Sequence, residues 1–353
     1  MKLLPAALAA ALLLAGCALP GNDVRIATAP GQVCRYAAIG DFSGGLAAAK
    51  VQTRWGYIRT NGGLAVNPQF DEALAFSEGL AAVRIGANTL GVGGVWGYID
   101  AAGAYAVNPQ FAAAGPFRDG LARVQVGSRY GYIDRTGRYV INPQYLDARD
   151  FSGGYAAVLR AGSWGFIDRS GAFQVNPRYE AAGDFCDGYA AVRTGSVALG
   201  IGGRHTYIDP AGQQLLLPQF RVADDFSEGL ARVIRDDITE YVDTAGHTAL
   251  TLPQGEAAAF HEGLARIKVN DRCGFIDRAG NFAINPQFDQ AGPFAAGRAL
   301  VKIGDLYGYI DATGRVVIQP RFTAARDFAG GVAVVEFLGT WRVIDPAGAF
   351  LWQ

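Results

Sequence analysis

One short motif, Phe-x-x-Gly, recurs nine times along the chain and constrains its fold more than any other feature. Successive copies lie 34 residues apart, except for two intervals of 41 residues. Such a period is typical of repeat proteins, in which each repeat is one small supersecondary unit. Starting each unit at its phenylalanine predicts nine units: 42–75, 76–116, 117–150, 151–184, 185–225, 226–259, 260–293, 294–327 and 328–353.

Each unit carries the pattern of three short β-strands. In the third unit these strands are Leu121–Val126, the segment Tyr130-Gly-Tyr-Ile-Asp134, and Tyr139–Ile141. Apolar alternation with aromatic and β-branched residues favours strands, and no window shows a sustained helical period. The sequence Asp134-Arg-Thr-Gly137 after the second strand favours a type I turn with a glycine bulge. The proline of Asn142-Pro143 cannot donate to a ladder, so we expect this pair to end the third strand.

A three-stranded unit cannot bury its apolar face alone, so neighbouring units must stack into one continuous core. That core is predicted to contain the motif phenylalanines, the Ile or Val before each turn aspartate, and the valines of the first strand. The phenylalanines are Phe42, Phe76, Phe117, Phe151, Phe185, Phe226, Phe260, Phe294 and Phe328. The turn aspartates are Asp100, Asp134, Asp168, Asp209, Asp243, Asp277, Asp311 and Asp345, and the turn accounts for them without calcium.

The second-strand motif appears as Trp55-Gly56-Tyr57-Ile58, Trp96-Gly97-Tyr98-Ile99 and Trp164-Gly165-Phe166-Ile167. Together with the Pro-x-Phe that follows it, this order of motifs resembles the WG-repeat family of bacterial proteins. The resemblance covers about residues 34–353, nearly all of the chain after its N-terminal segment. The expected fold class is therefore all-β, with tandem units of about 34 residues that each form three short antiparallel strands.

Two arrangements of the units fit the sequence. Residues 34–42 match residues 177–185, so the repeat region begins with the tail of a unit and ends where such a tail would start. This complementarity fits a propeller-like closed ring in which the N-terminal segment completes the last unit. It fits an open superhelix equally well. Because nine units of three strands are unusual for a propeller, an open, curved β-array is the favoured arrangement and the ring is the alternative.

The N-terminal segment has the features of an export signal. Lys2 precedes an apolar stretch, Leu3–Leu14, that is too short to span a bilayer but fits a signal sequence. The following Leu14-Ala15-Gly16-Cys17 resembles the lipobox of bacterial lipoproteins, which implies cleavage after residue 16 and lipid attachment to Cys17. An ordinary cleaved signal with a chance cysteine is the alternative. Residues 17–33 then form the lipidated cysteine and a flexible tether, and the expected location is the cell envelope, with the outer membrane favoured.

The two long units carry similar glycine-rich insertions, at 86–94 and 195–203, between their first and second strands. These insertions are predicted to project as longer hairpin tips. No helix follows them, so they lack the context of a phosphate-binding loop. The residues proposed to contact a ligand are the tip residues Asn88, Leu90, Val197 and Leu199 and the motif tryptophans Trp55, Trp96 and Trp164. An aromatic residue that recurs in every unit more often packs than binds, so this assignment competes with a purely structural one.

The composition gives no sign of catalytic or nucleic-acid chemistry. The chain has 31 basic and 32 acidic residues and no basic stripe, so no nucleic-acid partner is expected. Its histidines, His205, His247 and His261, lie in different units, so no metal site is expected. Cys34, Cys186 and Cys273 also lie in separate units and are expected to be mostly free thiols, with one disulfide as the alternative. No catalytic residue and no cofactor is predicted.

These features favour a non-enzymatic, membrane-anchored envelope lipoprotein whose repeats bind or scaffold a partner. An envelope protein or a cell-wall glycan is the expected partner. A cell-surface adhesin is one alternative. A hydrolase or lyase whose site is assembled from several repeats is another, and it requires unlike polar residues from several units to converge in one cavity.

Overall fold

The computed structural model describes residues 36–88, 90–195, 202–216, 219–252 and 255–352. Throughout these residues the chain forms only strands, isolated bridges, turns and bends, which confirms the all-β prediction. Those ranges contain no helix that is long and apolar enough to cross a membrane.

The strands form nine small antiparallel sheets, which we call blades 1 to 9 in chain order. Blade 1 contains β1 (Ala38–Ile39), β2 (Leu46–Val51), β3 (Arg54–Arg59) and β4 (Leu64–Phe70). Blade 2 contains β5 (Glu72–Ala73), β6 (Ala81–Ala87), β7 (Gly93–Ile99) and β8 (Tyr105–Phe111). Blade 3 contains β9 (Ala113–Arg118), β10 (Leu121–Val126), β11 (Arg129–Ile133) and β12 (Tyr139–Tyr145).

The middle blades repeat this order. Blade 4 contains β13 (Asp147–Ala148), β14 (Tyr155–Arg160), β15 (Ser163–Asp168) and β16 (Phe173–Tyr179). Blade 5 contains β17 (Ala181–Ala182), β18 (Ala190–Thr194) and β19 (Arg204–Ile208). Blade 6 contains β20 (Val222–Ala223), β21 (Leu230–Arg235), β22 (Ile238–Asp243) and β23 (Thr248–Leu252).

The last three blades complete the series. Blade 7 contains β24 (Glu256–His261), β25 (Leu264–Val269), β26 (Arg272–Ile276) and β27 (Phe282–Phe288). Blade 8 contains β28 (Gln290–Ala295), β29 (Arg298–Ile303), β30 (Leu306–Ile310) and β31 (Val316–Phe322). Blade 9 contains β32 (Ala324–Ala325), β33 (Ala333–Phe337) and β34 (Thr340–Ile344).

Each blade therefore has a strand that the sequence pattern did not predict. In six blades this first strand has only two residues, as in β13, where Asp147 pairs with Leu159 and Ala148 pairs with Val158 of β14. In blades 3, 7 and 8 it has six residues and includes the motif phenylalanine. The predicted strands follow it, although no third predicted strand is assigned among the described residues of blades 5 and 9. A strand of two residues is too short to carry a period-two pattern.

The prediction that Asn-Pro ends the last strand of a unit is wrong. In blade 3, β12 continues through this pair to Tyr145, and the strand register shifts between the pairs Tyr132–Ile141 and Tyr130–Tyr145. The proline lies in a bulge, where no ladder hydrogen bond is required of it. The glycine of the Trp-Gly motif makes room for this bulge, because a Cβ on Gly131 would lie 2.5 Å from the Ile141 carbonyl oxygen.

Blade 6 shows the same relationship in reverse. Glu240 replaces the motif glycine there, and the opposing strand β23 pairs residue by residue, with Glu240 opposite Thr251 and Thr239 opposite Leu252. The register shifts only nearer the turn, between Tyr241 and Val242. Blade 5 differs, because Thr206 replaces the glycine there while the register still shifts between the pairs His205–Phe220 and Ile208–Gln214.

An aromatic pair repeats in the core of the blades. In blade 3 the buried Tyr132 ring lies 4.8 Å from the Phe151 ring of blade 4, in an edge-on arrangement. The Tyr132 hydroxyl donates a 2.6 Å hydrogen bond to the carbonyl of Arg149. The same ring pair recurs with Phe76, Phe117, Phe185, Phe226, Phe260, Phe294 and Phe328. All nine motif phenylalanines, Phe42 included, are buried, which confirms the predicted core.

The Asp-x-x-Gly turns also have the predicted form. In blade 3, the Asp134 side chain accepts bonds from the backbone N–H of Thr136 at 2.8 Å and of Arg138 at 3.1 Å. Gly137, with φ of 82°, donates its N–H to the Asp134 carbonyl at 2.9 Å. The turn glycine also packs on the preceding blade, because a Cβ on Gly137 would lie 2.9 Å from the side chain of Val107.

These contacts between blades close into a ring, so the favoured open array is wrong and the alternative, a closed nine-bladed propeller, is correct. In blade 9, Gly348 packs on Ile318 of blade 8, and a Cβ there would lie 3.0 Å from it. The equivalent glycine of blade 1, Gly62, packs on Trp352, which stands four residues after Gly348 as Ile318 stands four residues after Gly314. The last blade thus contacts the first as each blade contacts its successor.

Two further contacts support closure. An Arg149–Asp184 ion pair joins blades 4 and 5 at 3.7 Å, and the equivalent pair Arg326–Asp41 joins blades 9 and 1 at 3.3 Å. Tyr36, just before β1, lies edge-on to Trp352 with ring centroids 5.7 Å apart. The two ends of the described chain, at Tyr36 and Trp352, therefore meet at the ninth interface, and nine equivalent interfaces together turn the chain through one full circle.

Candidate functional site

The hairpin tips that join the second and third strands lie at one end of their blades, and this end carries a cavity between blades 1 and 2. The cavity has a volume of about 1070 Å³. It brings together three of the residues proposed from sequence to contact a ligand: Trp55, Asn88 and Leu90.

Charged side chains form the walls of this first cavity. Arg54 pairs with Asp71, and Arg84 pairs with Glu72 at 2.6 Å. The Lys50 ammonium lies 5.8 Å from the centre of the Trp55 ring. The cavity therefore combines paired charges with one aromatic wall, and one face of that aromatic ring is covered by a cation.

The inserted tip of blade 2 is held in shape by its own hydrogen bonds. The Asn88 side-chain oxygen accepts from the backbone N–H of Leu90 at 3.0 Å and of Val92 at 2.9 Å. The Ala87 N–H donates to the Asp71 carboxylate at 2.8 Å, which ties the tip to the cavity wall. Despite this order, the Leu90 side chain is 85% exposed and Val92 is 65% exposed. The tip thus presents apolar side chains at residues 90 and 92, whose backbone N–H groups are both bonded to Asn88.

The other proposed ligand residues are placed differently. Trp96 is only 8% exposed and packs in the core of blades 2 and 3, with the Arg84 guanidinium 5.9 Å from its ring. Trp164 is partly buried and packs against the cluster that contains Phe185. Val197 and Leu199 lie outside the described residues, as does Cys17. The sequence could not separate Trp55 from its two equivalents, because all three occupy the same repeat position.

The histidines and cysteines do not assemble a site in the described parts of the chain. No group of three or more potential metal ligands is found there. His205 is half-buried in blade 5, and its burial, followed by the charge of Arg193, lowers the pKa of its imidazole. Cys186 and Cys273 are free thiols, and burial raises the pKa of the Cys186 thiol. Cys34 lies outside the described residues.

A second cavity, of about 420 Å³, lies along the first strands of blades 5 and 6. Arg149, His205, Asp224 and Asp225 line it together with small residues that include Ala191. Sequence reasoning missed this cavity. Its signal was available in the repeat alignment. An aspartate precedes the motif phenylalanine in only some units, and the residue six places after that phenylalanine is arginine in three units, alanine in four, and leucine or valine in the last two.

Comparison with known proteins gives a family. A family model described as WG containing repeat matches residues 55–88, 96–130, 130–162, 164–196, 206–237, 274–307 and 307–341. Among curated proteins, none matches the chain.

Solved structures resemble the chain at low identity. A eukaryotic initiation factor shares 12% identity at a TM-score of 0.49, over 90% of this chain and 88% of that one. PorZ, a bacterial surface component of the type-IX secretion system of Porphyromonas gingivalis, shares 10% identity at a TM-score of 0.33, over 90% of this chain and 52% of that one. Hsv2p of Kluyveromyces lactis shares 9% identity at a TM-score of 0.40, over 68% of this chain and 92% of that one. Scores this low carry no information about function.

Proposed function

The chain belongs to the WG containing repeat family, whose β-propeller suits a binding or scaffold module, and we propose that it is a non-enzymatic binding protein of the cell envelope. In this proposal a lipid on Cys17 holds the protein at a membrane, with the outer membrane favoured. The ring binds a partner protein at the first cavity and at the tip of residues 86–94 beside it.

The exposed apolar tip carries this proposal. Leu90 is 85% exposed, yet hydrogen bonds to Asn88 hold the backbone around it. An exposed apolar side chain on a hydrogen-bonded backbone loses less entropy on binding than one on an unstructured loop, and beside a cavity it is typical of an anchor in a protein interface. The ion pairs of the cavity walls, such as Arg84–Glu72, would then form a polar rim.

A protein fits the first cavity better than a glycan. Sugar rings stack on open aromatic faces, but Lys50 covers one face of Trp55 and Trp96 is almost fully buried. The exposed Leu90 and Val92 offer dispersion and apolar contact instead. An apolar protein surface would bury these side chains more completely than a polyhydroxylated chain would.

The residues of the first cavity also favour binding over catalysis. Its only acidic residues, Asp71 and Glu72, are each engaged by an arginine, and no histidine, serine or cysteine is among its lining residues. A hydrolase that uses a carboxylate or a histidine as its general acid or base needs that group free beside the substrate. The lining residues of the first cavity supply neither, which supports binding over catalysis there.

Anchoring is tested with Cys17→Ser in the expressing cell. The variant is expected to lose lipid labelling and to appear in the soluble fraction, whereas Cys186→Ser, a matched change within the ring, should keep both properties. Membrane retention and detergent partitioning that Cys17→Ser leaves unchanged would contradict the lipid anchor. Digestion of whole cells with added protease then separates a surface-exposed protein from one that faces the periplasm.

Partner binding is tested by placing a photo-crosslinking residue at position 90 of the full-length lipidated protein. Position 338 serves as the control, because Leu338 is a hairpin-tip leucine of blade 9 with 81% exposure. One envelope protein should attach at position 90 and not at position 338, and Leu90→Asp should abolish its recovery with the tagged protein. Equal labelling at both positions would contradict the proposed interface, and cell-wall fragments retained in a Trp55-dependent manner would show that the ligand is a glycan.

A further inference from the structure

The second cavity lies between blades 5 and 6, at a position that an arginine side chain fills between blades 3 and 4. Between blades 3 and 4, Arg123 reaches across the interface and its Nε lies 3.2 Å from the Asp150 carboxylate. A terminal nitrogen of Arg123 also donates a 2.6 Å hydrogen bond to the carbonyl of Ala148 on β13. Asp150 lies over Gly115, where a Cβ would be only 2.6 Å from the carboxylate.

Between blades 5 and 6 the same acceptors are present without the arginine. Asp225 stands one residue before its motif phenylalanine, as Asp150 does, and it lies over Gly183 at an equivalent Cβ distance of 2.5 Å. The position of Arg123, six residues after the motif phenylalanine, is occupied by Ala191. Ala191, Asp225 and Ala223, the equivalent of Ala148, all line the cavity of about 420 Å³.

The charges around this cavity are unbalanced. Arg232 pairs with Asp224 at 2.7 Å, and Arg149 lies 3.7 Å from Asp184. Asp225 accepts a hydrogen bond from the backbone of Asp184 but forms no ion pair with any described residue. Three carboxylates thus face two guanidinium groups, which leaves one negative charge.

Other ionisable side chains at the cavity do not supply the missing cation. Burial and the nearby Arg193 lower the pKa of His205, so its imidazole is neutral at neutral pH. Arg149 lines the cavity, but its position between Asp184 and Asp225 lets it balance only one of the two carboxylates. One further monovalent cation would neutralise the remaining carboxylate.

We propose that the cavity between blades 5 and 6 binds a guanidinium or primary ammonium group, which takes the place that the Arg123 side chain fills between blades 3 and 4. The carboxylate of Asp225 accepts the charged N–H groups, and Ala191 leaves the space for the alkyl chain behind them. The group belongs either to an arginine or lysine side chain of a polypeptide or to a small free amine. This site is separate from the first cavity and does not depend on the function proposed for it.

The proposal is tested by calorimetric titration of the full-length protein with two probes. Acetyl-arginine N-methylamide represents a side chain in a polypeptide, and agmatine represents a free amine. About one molecule of probe should bind per chain, and Asp225→Asn should weaken binding about tenfold or more, because a hydrogen-bonded charge pair is lost. A preference for the methylamide would identify a polypeptide as the source, and a preference for agmatine would identify a free amine.

Two reciprocal variants complete the test. Ala191→Arg should fill the cavity from within and abolish probe binding. Arg123→Ala should empty the matching place between blades 3 and 4 and raise the stoichiometry to about two probes per chain, since Asp150 then faces a similar space. The proposal is overturned if neither probe binds at up to about 10 mM. It is equally overturned if Asp225→Asn leaves the affinity unchanged or if Arg123→Ala leaves the stoichiometry at one.

Discussion

The carboxylate of Glu228 in blade 6 accepts a hydrogen bond from the backbone N–H of Gly263 in blade 7, at 3.0 Å. A second bond comes from the N–H of Glu262. Glu228 lies in the two-residue turn of its Phe-x-x-Gly motif with φ of 54°, a left-handed conformation that a glutamate rarely adopts. The equivalent bonds Glu78–Gly120, Asp119–Gly154, Asp187–Gly229 and Glu262–Gly297 join other consecutive blades. Backbone strain at this position is therefore offset by a contact between blades.

Replacing Glu228 with alanine should destabilise the ring. The change keeps an L-residue in the left-handed turn, as Ala296 does in blade 8, but it removes both bonds to blade 7. The expected loss is about 1–2 kcal/mol of unfolding free energy, measured by denaturant titration. Glu228→Gly removes the same bonds and relieves the backbone, so it should lose less. A Glu228→Ala protein as stable as the parent would show that these bonds contribute nothing.

Replacing Gly131 with alanine should be among the most damaging single-methyl additions in the chain. The new Cβ would lie 2.5 Å from the Ile141 carbonyl oxygen and 2.6 Å from the nitrogen of Pro143, and backbone atoms cannot yield as a side chain can. A loss of about 3 kcal/mol is expected from this overpacking. Gly40→Ala is the matched control, because its Cβ meets nothing nearer than 3.5 Å. Equal melting temperatures for the two variants would contradict the role assigned to the bulge.

Removing one buried hydroxyl should have a moderate effect. Tyr132→Phe leaves the Arg149 carbonyl without its 2.6 Å donor but keeps the ring in contact with Phe151. The expected cost is about 1 kcal/mol, because Phe166 and Phe275 already occupy this slot in blades 4 and 7. Tyr132→Ala should cost about 3–5 kcal/mol by creating a cavity. Thermal unfolding of both variants tests this ranking of their costs. A larger loss of stability in Tyr132→Phe than in Tyr132→Ala would contradict it.

The carboxyl of Asp225, on a residue that is partly exposed, should give a pH-dependent signature. Burial and the charge of Asp184 raise the pKa of Asp225 above its ordinary value, although Arg149 opposes the shift. The folded state therefore binds this proton more tightly than the unfolded state, and ionisation lowers stability as pH rises through the folded pKa. Asp225→Asn should raise the melting temperature at pH 7, and the gain should shrink as pH falls to about 4.

Asp168→Asn should change the melting temperature at pH 7 in the opposite direction to Asp225→Asn. Its hydrogen bond from Ser170 holds the pKa of Asp168 below the ordinary value, against a smaller opposing effect of burial. Stability from this group is present above the unfolded pKa and is lost as pH falls through the folded one. Asp168→Asn should therefore lower the melting temperature at pH 7 and converge with the parent in acid. If both variants shift in the same direction, the assigned causes are incorrect.

Much of the blade could be predicted from local sequence. The turn at Asp134 and Gly137 depends on four consecutive residues, and the buried strand around Tyr132 depends on a period-two pattern. The bulge at Pro143 was missed because its cause is the absence of a side chain on Gly131, which lies on the opposite strand.

The arrangement of the blades was harder to predict for a different reason. Whether nine units close depends on a small rotation at each interface, and no single residue encodes that angle. At the ninth interface Trp352 stands where most other interfaces have a β-branched residue, and this difference hides the equivalence of the interfaces in the sequence. The second cavity escaped notice similarly, because Ala191 is informative only once Arg123 is known to cross to the next blade.

The packing of Trp352 against Gly62 has a topological consequence. Every blade has a neighbour on both sides, so no blade acts as a terminal cap. The two chain ends simply lie at one of the nine blade interfaces. A circular permutant that joins the ends through a short linker and opens the exposed turn at Ala161–Gly162 in blade 4 keeps all nine interfaces. Such a molecule would begin and end in blade 4, and would so change the number of blades between the chain ends and the Leu90 tip without changing the ring.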